Sequence, residues 1–295
     1  VFSVFGVFLF SISLLFSENL VFFWLFLELV GLSLIPAFFY NYSDVSFYNL
    51  FVYIIVSSFS SSFMLLGILN YELMFFFVLG YLIKFGVFPF FSWVYNIVLG
   101  SNGVVVFLLS TFAKVPFIFI CFFLTGLFLS SYNVIIMFCI LSFLVLSGFF
   151  WIYNYNWRCC WCHMMLSSSA ALVLMSFSSS TSLLIWLFLF YVVWSTLTIF
   201  FLFFCEGSGF DLNYSFSSTS VSFSLVFWFG FIFLLLTTPV SLSLFYKIFM
   251  SFCIYSCGWV VILFWVLYSL SEQFFFLKYL VSSYISKFYF NWFSL

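Results

Sequence analysis

From residue 73 to residue 97 the chain reads LMFFFVLGYLIKFGVFPFFSWVYNI. The run is apolar enough to lie in lipid, yet Lys84 sits near its middle, and Gly86 and Pro89 interrupt it just after. An ammonium at bilayer depth costs roughly 2.5–3.5 kcal/mol on insertion scales. Such a lysine must face a partner, a bundle interior or water. A helix broken inside a membrane leaves backbone groups unpaired, which lipid does not tolerate. The break must therefore be buried in protein or line a wet cavity. Lysine and break together point to an ion path.

The rest of the chain is built to the same rule. Of its 295 residues 67% are hydrophobic and only 4% are charged, against about 25% charged in soluble domains. Mean hydropathy is +1.37. No soluble fold can use this much apolar surface, so the expected class is an all-α, polytopic membrane helix bundle, a single transmembrane domain over residues 1–295. At roughly 20 residues per spanning helix there is room for about ten spans. The first reads as a mature span, since no basic region precedes it as in a signal peptide. Val1 implies an alternative start codon or a missing start. The 56 phenylalanines suggest a thymine-rich coding strand, as in small organellar genomes. The eight cysteines are scattered through apolar runs apart from one cluster, which argues against a disulfide framework.

Ten spans are expected: 1–17, 20–40, 47–69, 73–97, 103–124, 132–152, 161–178, 181–205, 219–251 and 254–280. Only residues 206–218 read as a long connection. The serine runs at 57–62 and 167–169 are small-residue faces suited to close helix approach. Two spans are broken, the fourth at Gly86/Pro89 and the ninth at Thr237-Thr238-Pro239. They lie five spans apart, which fits an inverted five-plus-five repeat, with repeat 1 about 1–124 and repeat 2 about 132–280. That design places ion sites at broken helices near the midplane. Chance recurrence of proline-broken spans is the competing reading. With ten spans both termini share a side. Arg158, Lys278 and Lys287 put that side inward by the positive-inside rule, the matrix if the chain is mitochondrial.

Most charges fall in connections or near span ends and read as interfacial: Glu18, Asp44, Glu72, Arg158, Glu206, Asp211, Glu272, Lys278 and Lys287. Glu28, Lys84, Lys114 and Lys247 lie well inside apolar spans. Glu28 is roughly 12 Å deep in span two and Lys84 roughly 16 Å deep in span four, from the same side. Both spans run in the same direction, so the two can pair across the bundle. A carboxylate partner favours the charged lysine and burial the neutral one, opposing pulls that a proton relay can use. A static ion pair is the alternative, although such pairs are poor stability devices. Lys114 is mid-span, followed by Pro116, with no acid at its depth in the same span. Lys247 lies beyond the break of span nine and can alternatively snorkel to the surface.

In Arg158-Cys159-Cys160-Trp161-Cys162-His163 the cysteines are too crowded for a zinc motif, which needs two spaced ligand pairs. No metal site is expected. His163 begins span seven near the inner side, where it can take up protons. A helix-end histidine without a role is an equal alternative. Neither a Walker loop, a GxGxxG followed by an acid, an HExxH nor a catalytic triad is present. With a single histidine the chain cannot ligate haem by paired histidines.

These residues resemble the antiporter-like membrane subunits of respiratory complex I, NADH:ubiquinone oxidoreductase. FFWLFLELVGLSLIP is similar to the family's glutamate helix and carries that acid onto Glu28. KFGVFPFFSWV resembles K-x-G-x-x-P-F-H-x-W, giving Lys84, Gly86, Pro89, Phe90 and Trp93. STFAKVP resembles the motif with a lysine two before a proline and gives Lys114. TTPVSLSLFYKIF resembles the second broken helix, P-x-x-G-F-x-x-K, and gives Pro239 and Lys247. WCHMMLSSSA is similar to a further stretch that puts His163 at a basic position. The resemblance covers roughly residues 15–280. The motif histidine is Phe91 here, the proline–glutamate after the tryptophan is Tyr95-Asn96, and the second-break glycine is Ser243.

The resemblance implies a proton-translocating module of a membrane arm in the mitochondrial inner membrane. Glu28, Lys84, Lys114 and Lys247 would form its relay, with His163 at proton uptake. The chain itself would hold no cofactor, since NADH, FMN, iron–sulfur clusters and ubiquinone belong to partner subunits. Its partners would be the neighbouring subunit 4, the small subunit 4L, accessory subunits and lipid, and no nucleic acid. A stand-alone cation/proton antiporter of the same fold and a membrane scaffold without its own proton path are the alternatives.

Overall fold

The computed structural model describes residues 2–40, 44–116, 132–154, 156–178, 180–207 and 221–292. Among these residues there are helices and connecting turns but no strand. Helices α1 (Phe2–Leu15), α2 (Leu20–Phe38) and α3 (Asp44–Leu69) come first. The fourth expected span is two helices, α4 (Met74–Phe85) and α5 (Ser92–Gly100). α6 (Gly103–Ser110) passes into a 3-10 turn, Phe112–Lys114. Then follow α7 (Tyr132–Ile152), α8 (Trp157–Ser178) and α9 (Thr181–Gly207). The ninth expected span is again two helices, α10 (Val221–Gly230) and α11 (Leu242–Tyr255). α12 (Trp259–Trp292) closes the described chain. Each of the ten expected spans thus has a counterpart. The second half of the fifth span, and the long connection beyond Gly207, lie outside the described residues.

Six of the helices are long and apolar enough to cross a membrane, α2, α3, α7, α8, α9 and most of α12. They do not contribute equally to the core. The apolar window of α8 is 94% buried, that of α3 only 22%. α8 is the axis: α4, α5, α7, α9 and α11 all pack on it. Its sequence explains the position. Ser167, Ser168, Ser169, Ala170 and Ala171 are small, so neighbouring backbones come close, and all five are buried. α1 packs on α2, α3 on α2, α4 and α5, and α12 on α7 and α11. The α3–α4 contact is equally tight, since a Cβ added at Gly80 would meet the Ser60 carbonyl oxygen at 2.5 Å.

The two breaks are made differently. At the end of α4, Gly86 has φ 66°, the left-handed region that glycine enters without penalty. Its N–H donates to the Ile83 carbonyl at 3.2 Å, and the Val87 N–H donates to the Leu82 carbonyl at 3.1 Å. This is a Schellman ending, which satisfies carbonyls left over at a helix C-terminus. The Trp93 indole N–H adds a bond to the Ile83 carbonyl at 3.1 Å. The Phe88–Pro89 peptide is cis. At the second break α10 continues into a π turn, Phe231–Leu235, and the chain is extended at Leu236. Ser241 then caps α11, its hydroxyl accepting from the Leu244 N–H at 3.2 Å.

Two expectations need correction. The last span does not end at 280, because α12 runs on to Trp292. Glu272 therefore lies inside a helix and is only 3% exposed, so it is not an interfacial charge. The fifth span also unwinds just before Lys114, which the sequence reading leaves helical. Pro116 has no N–H for the Phe112 carbonyl, and its ring crowds that carbonyl. The chain takes a tighter 3-10 turn over Phe112–Lys114 instead.

Candidate functional site

Of the four charges expected to be buried, Glu28 and Lys84 meet each other, Lys114 lies against α8 and shares a cavity with Lys84, and Lys247 borders a second cavity. The Lys84 ammonium donates to Glu28 Oε1 at 2.7 Å. α2 supplies the carboxylate, and Lys84 sits in the last turn of α4, where the negative end of the helix dipole favours a cation. The depth match between the two spans is thereby realised as a contact.

Lys114 is 2% exposed. The 3-10 turn carries its side chain towards α8. There the ammonium donates to the Met165 carbonyl at 2.8 Å and to Ser168 Oγ at 2.7 Å. It also lies 4.7 Å from the centre of the Tyr191 ring, a cation–π arrangement. Among the described residues no carboxylate pairs with it.

Lys247, from α11, does not reach out to the surface. Its ammonium lies 2.8 Å from Glu272 Oε1. Glu272 is the residue of this site that sequence reasoning missed, and Gln273 is a second. Gln273 Oε1 accepts from the Thr237 N–H at 2.9 Å and from the Thr237 hydroxyl at 3.1 Å. Its Nε2 donates to the Leu235 carbonyl at 3.3 Å and to Glu272 Oε1 at 3.2 Å. One amide thus holds both edges of the second break and touches the carboxylate of the ion pair. Trp194 Nε1 donates to the Leu234 carbonyl at 3.1 Å, and Ser243 Oγ to the Leu236 carbonyl at 2.7 Å. Ser243, a departure from the glycine motif, thus satisfies a carbonyl that the break leaves open.

Two separate cavities adjoin these groups. One of about 50 Å³ is lined by Lys84, Lys114, Tyr53, Trp93, Met165 and Ser169, among others. A second, of about 20 Å³, is lined by Ser168, Tyr246, Lys247, Tyr268 and Glu272, among others. A polar cavity needs roughly 10–15 Å³ of such space for one water. The first therefore has room for a few waters and the second for one.

His163 is not at an open helix end. It is fully buried on α8, with its ring against Phe150 at 5.0 Å and Tyr95 at 5.4 Å between centroids. Its Nδ1 meets the Tyr95 hydroxyl, and its Nε2 lies 3.6 Å from Cys159 Sγ. Phe91, which stands where the motif has histidine, belongs to the same aromatic group through Phe149 at 5.6 Å. The neighbouring Arg158 donates to Glu206 Oε2 at 2.8 Å and to the Ser101 carbonyl at 2.6 Å. No group of three or more possible metal ligands occurs among the described residues.

A multi-pass bundle with two broken helices and a buried row of cations defines a class of membrane protein. No family model matches the chain, and no curated protein sequence matches it. Solved structures do. A chain in respiratory complex I from Thermus thermophilus with bound aureothin superposes with a TM-score of 0.74 at 15% identity. The match covers 95% of this chain and 69% of that one. A chain of the Mrp complex from Dietzia sp. DQ12-45-1b gives 0.75 at 15%, covering 94% and 59%. A chain of the membrane-bound sulfane sulfur reductase, an archaeal respiratory membrane complex, gives 0.70 at 13%, covering 89% and 61%. The chain therefore shares the fold of membrane chains from three multi-subunit complexes. It spans about three fifths to seven tenths of their length.

Proposed function

We propose that this chain is a proton-translocating, antiporter-like subunit of a complex I membrane arm, the counterpart of mitochondrial subunit 2. Electron transfer from NADH to quinone takes place in partner subunits that hold the FMN, the iron–sulfur clusters and the quinone. This chain moves protons in response. The observation that carries the reading is the continuity of the buried row. Lys84 and Lys114 share one cavity, and the hydroxyl that Lys114 holds opens on the cavity of Lys247 and Glu272.

In this reading Glu28 and Lys84 are the switchable pair and Lys114 is the central carrier. Lys247, with Glu272, hands protons towards the exit or a neighbouring subunit. His163 serves uptake, its Nδ1 meeting the hydroxyl of the half-buried Tyr95. The neighbours are subunit 4 and the small subunit 4L, in the mitochondrial inner membrane with both termini on the matrix side.

The test is native electrophoresis of the source membranes in mild detergent, with mass spectrometry of the band that holds this chain. Co-migration with flavin- and iron–sulfur-bearing NADH dehydrogenase subunits in a megadalton-scale band is expected. Migration as a small species free of redox subunits would overturn the reading and leave a stand-alone cation/proton antiporter in its place.

A further inference from the structure

The two cavities are separated by α8. Met165 and Ser169 line the larger one, while Met164, Ser167 and Ser168 line the smaller. Among the described residues, one side-chain to side-chain hydrogen bond joins a group on the first cavity to a group on the second. It runs from Lys114 Nζ to Ser168 Oγ at 2.7 Å. We infer that Ser168 is the link that passes a proton between Lys114 and the water-sized cavity beside Lys247 and Glu272. The inference rests on the proton-relay reading above and deepens it.

The geometry supplies each part of the transfer. Ser168 Oγ already accepts from the ammonium, so the incoming proton has a path. Its own proton rests on the Met165 carbonyl at 2.7 Å. Rotation about Cβ–Oγ swings that proton off the carbonyl and into the smaller cavity. One N–H bond at Lys114 breaks and one O–H bond at Ser168 forms. The original Ser168 O–H then breaks as its proton moves to a water in the cavity. Ser168 is left neutral, Lys114 is left as the free amine, and one positive charge has advanced towards Lys247. The cavity is fitted to receive it. Its space suffices for one water. The Tyr246 hydroxyl, on the same wall, is buried without a hydrogen-bond partner among the described residues. Glu272, 3% exposed, offers the carboxylate.

The Met165 carbonyl gives the link a resting position. It accepts from both Lys114 and Ser168, so while both bonds are made the serine proton points away from the cavity. A plain water gap between the lysines would have no such off state.

The experiment compares S168A, S168T and K114A in the complete membrane assembly, reconstituted in closed vesicles. The reading is protons moved per electron pair, with the solvent deuterium effect on that ratio. S168A should lower the ratio by the same fraction as K114A, and S168T, which keeps the hydroxyl, should restore most of it. If S168A moves protons like the native assembly while K114A does not, the serine link is wrong and the relay reading stands. If assembled K114A also moves protons like the native assembly, the relay reading itself falls. If S168A and S168T are equally impaired, the residue serves packing and the inference fails. Should S168A not accumulate, S168G removes the same hydroxyl and carries the same comparison.

Discussion

The two ion pairs have nearly the same N···O separation and different settings, and only Lys84 makes a hydrogen bond with its carboxylate. Glu28 and Lys84 meet at 2.7 Å with side chains 24% and 14% exposed, and Lys84 borders the roomier cavity. Lys247 and Glu272 meet at 2.8 Å with side chains 13% and 5% exposed, so the contrast lies in the carboxylates. A charge that water can reach keeps part of its hydration. One with room for only a single water beside it depends more on its partner and on fixed hydrogen bonds. The breaks beside the pairs differ in the same way. The first is closed by its own backbone, with Trp93 assisting. The second relies on Gln273 and Trp194 from other helices and on Ser243. The first pair is therefore free to separate with little structural consequence, whereas the second is tied into the helix break that it adjoins.

The sharpest way to break this comparison is to remove each carboxylate. Glu272→Ala leaves Lys247 as a buried cation with no counter-ion, a change that costs about 3–5 kcal/mol when one member of a buried pair is deleted. Glu28→Ala leaves Lys84 with cavity space beside it, and should cost clearly less. Thermal unfolding of the detergent-solubilised protein would rank the two. An equal loss, or a larger one for Glu28→Ala, would refute the contrast between a roomier and a tighter pair.

The next effect concerns the break itself. Gln273→Leu removes the acceptor of the Thr237 N–H and a donor to the Leu235 carbonyl at once. Leaving a buried backbone group unsatisfied costs about 1–3 kcal/mol. The same variant takes a hydrogen bond from Glu272, so a double-mutant cycle of Gln273→Leu with Glu272→Gln should be non-additive. Additive losses in that cycle would mean that the break and the pair are independent.

Why Glu28–Lys84 is legible in the sequence and Glu272 is not comes down to where the helices end. For the first pair the apolar runs begin cleanly after Glu18 and Glu72, so depths counted from those starts hold. For Glu272 the apolar run fades at Lys278 and Ser282, and a span that ends near 280 places the acid close to an interface. The helix continues instead to Trp292. A signal was present all the same. Val261, Trp265, Tyr268, Glu272, Phe276 and Tyr279 recur at helical three- and four-residue spacing and form the buried stripe of α12. That period marks Glu272 as inward-facing. Gln273, the π turn before the second break and the setting of His163 have no such signal, since each depends on what lies opposite in space. The fold class and the four buried charges follow from hydropathy and proline, which act locally. Depth counting adds the Glu28–Lys84 pair, but the pairing of Lys247 with Glu272 follows from neither.

The smallest effect separates the two breaks most directly. Trp93 and Trp194 each give an indole N–H to a carbonyl at a helix interruption, at 3.1 Å in both cases. The carbonyl that Trp93 serves, Ile83, already accepts from the Gly86 N–H, so Trp93→Phe leaves it satisfied. The loss should stay near the 0.5–1.5 kcal/mol of an ordinary hydrogen bond. Trp194 caps the Leu234 carbonyl inside the π turn and stacks on Tyr246 with rings 4.7 Å apart, so Trp194→Phe should lose more. Thermal unfolding of the two single variants decides the matter. If Trp93→Phe proves the more damaging, the Schellman ending at Gly86 does not hold the first break on its own. The first ion pair would then be as firmly tied to its scaffold as the second.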